Sequence, residues 1–255
     1  MMATQAGAGL SAVDREHRFF FITACLMALV LVAGFSTNII FGRSSFGAPL
    51  IFHVHAFVFF GWVVLYLMQT GLVATGSVRL HRRLGWLAVG WIPAMVVLGC
   101  AMTIFSVRQT GGPFFFDKNE FLLGNSLGIA SFAGLAVAAI AMRRRTDWHR
   151  RLMSGAMVTL TGPGFGRLLP MPLMIPWSWW SAAVLAPALF LLAGIVADLR
   201  RAGRVHPAWW WGLAVLAGSQ LVADAIAYSP MGHALTERVT AGAPGAARPM
   251  RAFLP

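Results

Sequence analysis

The side chains in this 255-residue chain with the clearest chemical capacity are histidines, and four of the seven fall into two patterns. His53 and His55 open the apolar run from Leu50 to Thr75, whereas His81 and His149 each begin the tetrapeptide His-Arg-Arg-Leu, at 81–84 and 149–152. Imidazole both ligates metals and changes charge near neutral pH, so these four are candidate ligands or proton carriers. A second group is polar residues placed inside apolar runs: Gln69, Asn125, Arg167, Gln220 and Asp224. An unpaired charge near a bilayer centre costs at least about 2.5–3.5 kcal/mol, so such residues need a partner or a purpose. Arg167 and Asp224 have opposite sign and similar depth, which predicts an ion pair, with Gln220 one turn before Asp224 on the same face and His55 or His53 beside them.

The elements that position these groups are membrane spans. Hydrophobic residues make up 58% of the chain and charged residues 11%, far from a soluble composition. Leu50 to Thr75 contains no Asp, Glu, Lys or Arg, and its 26 residues at about 1.5 Å each exceed a hydrocarbon core of roughly 30 Å. Six further spans follow the same logic: 19–41, 84–107, 121–142, 152–169, 177–199 and 208–228. The fifth is broken or distorted by Gly162, Pro163, Gly164 and Gly166, and Pro93 bends the third. The fold class expected is therefore all-α and polytopic, with about seven transmembrane helices and a four-helix core from spans two to five. Residues 1–18 form a cytoplasmic N-terminal segment with no cleaved signal peptide, 19–228 the seven-span domain, and 229–255 a periplasmic disordered tail rich in Ala, Gly, Pro and Arg.

The charge of +12 points to topology rather than nucleic acid, because most of the arginine lies in short clusters between apolar runs. Thirteen of the twenty basic residues fall on the N-terminal face, which places the N-terminus in the cytoplasm and the C-terminus in the periplasm of a bacterial inner membrane. The partners expected are the lipid bilayer and other membrane proteins. A retinal protein is excluded, since the lone lysine, Lys118, lies in a loop and not in the last span. Cys25 and Cys100 show no CxxC pattern, and no nucleophile elbow, P-loop or HExxH motif occurs in a usable context.

The repeated tetrapeptide makes spans two plus three and four plus five look like two hairpins of one design. One reading is that His-Arg-Arg only holds a helix end among lipid headgroups. The other is that His81 and His149 converge. In this stretch the chain resembles a family of uncharacterised bacterial multi-pass membrane proteins that carry a domain of unknown function. The pattern is a His entering one span, a Gln near its exit, then HR-x-x-G, HRR-x-M and a later Arg. The matching positions are His55, Gln69, His81-Arg82 with Gly85, His149-Arg150-Arg151 with Met153, and Arg167, covering roughly residues 50 to 170. The resemblance implies architecture and brings no assigned activity with it. The chain is more weakly similar to transmembrane b-type cytochromes, which ligate haem through histidines on neighbouring helices. Of such sites only one on His81 and His149 is feasible, because His53 and His55 point about 200° apart on one helix.

His55, Trp62 and Gln69 recur at heptad spacing along one stripe, which suits a cofactor or quinone cleft. With Met171 and Met174, His53 and His55 also offer a copper site of imidazole and soft sulfur. The leading expectation is a redox-related membrane protein that binds haem b, a quinone or, less favoured, copper, through His55, His81, His149, Gln69 and Arg167. An accessory or scaffold subunit of a membrane complex is the alternative, and a small-solute transporter the third. No catalytic residue is assigned.

Overall fold

The computed structural model describes residues 12–254, and every regular element in that range is helical. Residues 1–11, most of the expected N-terminal segment, lie outside the described residues. Helix α1 (Ala12–Ile40) starts seven residues before the expected span, because its first turns are held by ion pairs from Glu16. Helix α2 (Leu50–Ala74) follows Pro49 and ends at Gly76, whose φ of +78° suits a residue without a Cβ. The basic segment after it is a short helix of its own, α3 (Val78–Gly85), with no buried residue. Helix α4 (Leu87–Thr110) runs unbroken through Pro93 and stops at Gly111 in the left-handed conformation. Helix α5 spans Lys118–Ala141.

The expected fifth span is two helices, α6 (Thr146–Thr159) and α7 (Gly162–Leu168). Together they travel the length of α1. Arg151 at the start of α6 contacts Glu16, and Gly164 in α7 packs on Gly34, eighteen residues or about 27 Å further along α1. The break falls where the sequence places Gly162, Pro163 and Gly164, and the α1–α7 crossing depends on two glycines: a Cβ on Gly34 would meet the Gly164 carbonyl oxygen at 2.5 Å. Helix α8 (Ser178–Ala202) contains a π turn at Ser181–Leu185. Helix α9 (Pro207–Ala227) is capped by the His206 ring, which accepts from Ala208 N at 3.2 Å.

Six helices, α1, α2, α4, α5, α8 and α9, are long and apolar enough to cross a membrane. The α6–α7 pair makes the seventh passage along the bundle. Many outward residues are large and apolar, among them Leu29, Phe57, Val64, Val97, Val137, Leu189 and Val222, so the exterior suits lipid rather than water. The core runs through the expected central helices, with Trp62 of α2, Met95 of α4, Phe132 of α5 and Met157 of α6 all buried. Trp62 meets Phe132 edge-on at 5.1 Å. Helices α1, α8 and α9 close around this core with Met27, Leu191 and Trp209.

The disordered tail expected from Ser229 onward is corrected by the structure. Ser229 caps a helix, α10 (Pro230–Thr240), by accepting from Gly232 N at 3.2 Å. The chain then returns across α4 and α5. Lys118 Nζ donates to the carbonyls of Gly245 (3.0 Å) and Arg248 (2.7 Å), and Arg248 donates to the carbonyls of Gly111 and Phe114. Small residues that read as a sign of disorder are here the ones that fit: a Cβ on Gly245 would strike the Val107 carbonyl. We call the end holding Glu16, His81 and His149 the near end, and the end holding Gly34, His55 and Arg167 the far end.

Candidate functional site

The last turn of α5 leaves its final carbonyls without helical partners. One of them, Ala139 O, takes a hydrogen bond of 2.8 Å from Nδ1 of His149 in the first turn of α6. A carbonyl only accepts, so Nδ1 carries the proton and the neutral ring has its lone pair on Nε2. His81 is held differently. In the amide orientation that satisfies all its neighbours, Gln69 donates to the His81 carbonyl (3.0 Å) and to His81 Nδ1, while accepting from Gly85 N (3.1 Å). Nδ1 of His81 is thus the acceptor, and the neutral ring carries its proton on Nε2. The two rings lie 6.2 Å apart between centroids at 72°. Burial and the neighbouring His149 lower the His81 pKa from its usual value, so the neutral form of His81 is favoured.

The arginines of the two tetrapeptides have different fates. Arg82 and Arg83 are exposed, whereas Arg151 is buried at the hub of an ion network. Its Nε and Nη2 form a two-pronged contact with Asp198 (3.0 and 2.7 Å), and Nη2 also reaches Glu16 at 2.9 Å. Arg150 pairs with Glu16 at 2.7 Å, Arg201 binds both acids, and Trp209 Nε1 donates to Asp198 at 2.9 Å. Helices α1, α6, α8 and α9 are locked together there. Glu16 and Asp198 are not among the sequence candidates; the signal the sequence carries for them is that acids are scarce, eight in all, and that these two adjoin arginines at 15, 18, 200 and 201.

At the far end the predicted Arg167–Asp224 pair does not form. Arg167 Nη1 donates to the Pro163 carbonyl at 2.7 Å, and its guanidinium lies 4.0 Å over the Phe35 ring. Asp224 accepts from Trp180 Nε1 (2.8 Å) and Gln220 Nε2 (2.6 Å), and is hydrogen-bonded to Glu120. The two residues match in depth, but α7 packs on α1 and α9 packs on α5, which turns them to different partners. Glu120 lies one residue before the expected fourth span, whereas α5 begins at Lys118 and carries it inside the helix. Gln220 does share a face with Asp224, and its Oε1 also takes the Trp179 indole at 2.7 Å.

His55 stacks on Phe59 with centroids 4.1 Å apart and lies within electrostatic reach of Arg167. His53 is exposed and points elsewhere, its Nε2 bonding Ala48 O at 3.1 Å. The expected copper site is not assembled. Met171 is buried with Phe116 and Trp179, and among the described residues no cluster of three His, Cys, Asp or Glu side chains has metal-binding geometry. The stripe of His55, Trp62 and Gln69 faces inward, but Trp62 at its middle is packed on Phe132 and opens no cleft there.

Fold and site together define a multi-pass, all-α membrane protein with a histidine pair at one end. No protein-family model, curated protein or solved structure matches the chain.

Proposed function

We propose that the protein is redox-related and binds the head group of a lipid quinone at His81 and His149. The opposite tautomers of the two rings carry this reading. A quinone carbonyl needs a donor and its reduced hydroxyl needs an acceptor; His81 offers Nε2–H, which a quinone would share with or take from the Gln69 backbone carbonyl, and His149 offers an Nε2 lone pair. Haem is disfavoured on the same ground, since two axial ligands need two ring nitrogens with free lone pairs, and Gln69 sets the His81 proton on the nitrogen that would ligate. An apolar groove of about 350 Å³ along α5, α6 and α9 suits an isoprenoid tail. Its lining includes Ala138 and Trp148, the chain neighbours of Ala139 and His149. The near end is cytoplasmic in this proposal, from the thirteen basic residues on that face.

The test is the quinone content of protein purified from its native membrane in mild detergent. Wild type is expected to retain one quinone per chain. His81→Ala and His149→Ala are each expected to lower occupancy at least about tenfold, the effect of losing a hydrogen bond worth roughly 1.5 kcal/mol. Quinone-free wild type that travels in a larger membrane complex would replace this account with the scaffold reading.

A further inference from the structure

Arg167 has one hydrogen bond to a carbonyl, one aromatic face and, among the described residues, no counter-charge. Its Nε is buried without a hydrogen-bond partner. The eight acidic side chains of the chain are all engaged elsewhere. Glu16 and Asp198 belong to Arg150, Arg151 and Arg201, and Asp147 to His206. Asp117 takes the Tyr228 hydroxyl and Ala252 N, Asp224 and Glu120 take each other, and Glu237 acts on Lys118. Asp14 sits in the first turn of α1, twenty residues or about 30 Å from Gly34 along the helix, at the opposite end of the bundle. A guanidinium held in apolar surroundings calls for an anion, and no side chain among the described residues supplies one.

His55 gives the position a second polar side chain. It lies within the field of Arg167; one ring N–H is directed at the Leu98 carbonyl, and its Nδ1 is buried with no hydrogen-bond partner. Two unsatisfied nitrogens, Nε of Arg167 on α7 and Nδ1 of His55 on α2, therefore lie close to one unbalanced positive charge. We propose that Arg167 and His55 form a far-end binding site for a phosphate-type oxyanion, independent of the quinone reading. The guanidinium fork matches the geometry of two phosphate oxygens, and Nδ1 of His55 completes the site by accepting from a phosphate hydroxyl or, on a protonated ring, by donating to a phosphate oxygen, its other nitrogen staying on the Leu98 carbonyl. Arg167 is one residue from Leu168, where α7 ends, so it sits about 1.5 Å below that end, near the level of phospholipid phosphates. The oxyanion has two sources: the headgroup of a phospholipid in that leaflet, or a phosphate from solution.

The experiment titrates delipidated full-length protein in detergent separately with short-chain phosphatidylglycerol and with inorganic phosphate, following the side-chain nitrogen resonances of Arg167 and His55. Saturable shifts of both residues are expected. Arg167→Gln should weaken binding at least about tenfold, with Arg167→Lys intermediate because it keeps charge but loses the fork. Arg43→Gln, in the exposed loop at the same end, should bind as wild type. Saturation by the lipid alone identifies a headgroup site, and saturation by phosphate identifies a soluble anion. Failure of both probes to move either resonance in folded wild type would overturn the proposal, whether or not the variants fold. So would wild-type affinity in a folded Arg167→Gln.

Discussion

His81 and His149 occupy equivalent places in two similar tetrapeptides, yet one Nδ1 accepts from an amide and the other donates to a carbonyl. That difference gives the pair a direction, a donor beside an acceptor, and it makes the contact sensitive to acid. The His81 pKa is lower when α3 is docked than the ordinary 6.5 of the undocked histidine. Between those two values the undocked state binds more protons, so docking is fully stable above 6.5 and weakens as pH falls through the docked pKa. The ratio of observed to intrinsic hydrogen-exchange rate of the α3 amides, which reads their opening, should therefore rise as pH falls below about 6.5, and His81→Gln should remove most of that pH dependence. At this scale the sequence was legible where one residue type repeated in one context, as with His81 and His149. It was not legible for Arg167 and Asp224, because depth along a helix follows from counting residues while rotation toward a partner follows from packing.

The helices show the same division between what spacing reveals and what contacts decide. Composition and charge-free length placed the long spans, and the glycines and proline at 162–164 marked the break that became α6 and α7. The tail reads as disordered and is ordered for a physical reason: Ala, Gly and Pro lack a hydrophobic signal, but they pass close to backbone, and Lys118 and Arg248 then bond carbonyls across the fold. Close approach also fixes the α1–α7 crossing. Gly34→Ala places a methyl 2.5 Å from the Gly164 oxygen and 2.9 Å from its Cα, both backbone atoms that cannot rotate away. It should destabilise the protein by about 1–3 kcal/mol in detergent unfolding, the cost of overpacking. Gly134→Ala, which meets nothing within 4 Å, should stay within about 0.5 kcal/mol of wild type.

Across the whole molecule, the polar groups gather at the two ends and leave an apolar middle. The near end carries the Arg151 network, which ties α1, α6, α8 and α9, with the histidine pair at the start of α6. The far end carries Arg167 and His55 on one side and the Glu120–Asp224 pair on the other. The seven passages and their lipid-suited exterior were readable from the sequence; the distribution of partners between the ends was not, since the acids that matter at the near end, Glu16 and Asp198, are 182 residues apart. The account rests on a quinone rather than a haem at the histidine pair. The measurement that tests it most directly is an oxidised-minus-reduced absorption spectrum, ultraviolet through visible, of the gently solubilised protein with metal analysis. The account predicts an ultraviolet quinone-to-quinol difference that is lost in His81→Ala and His149→Ala, with no haem band and no bound metal. A haem band that disappears in those same variants would contradict it.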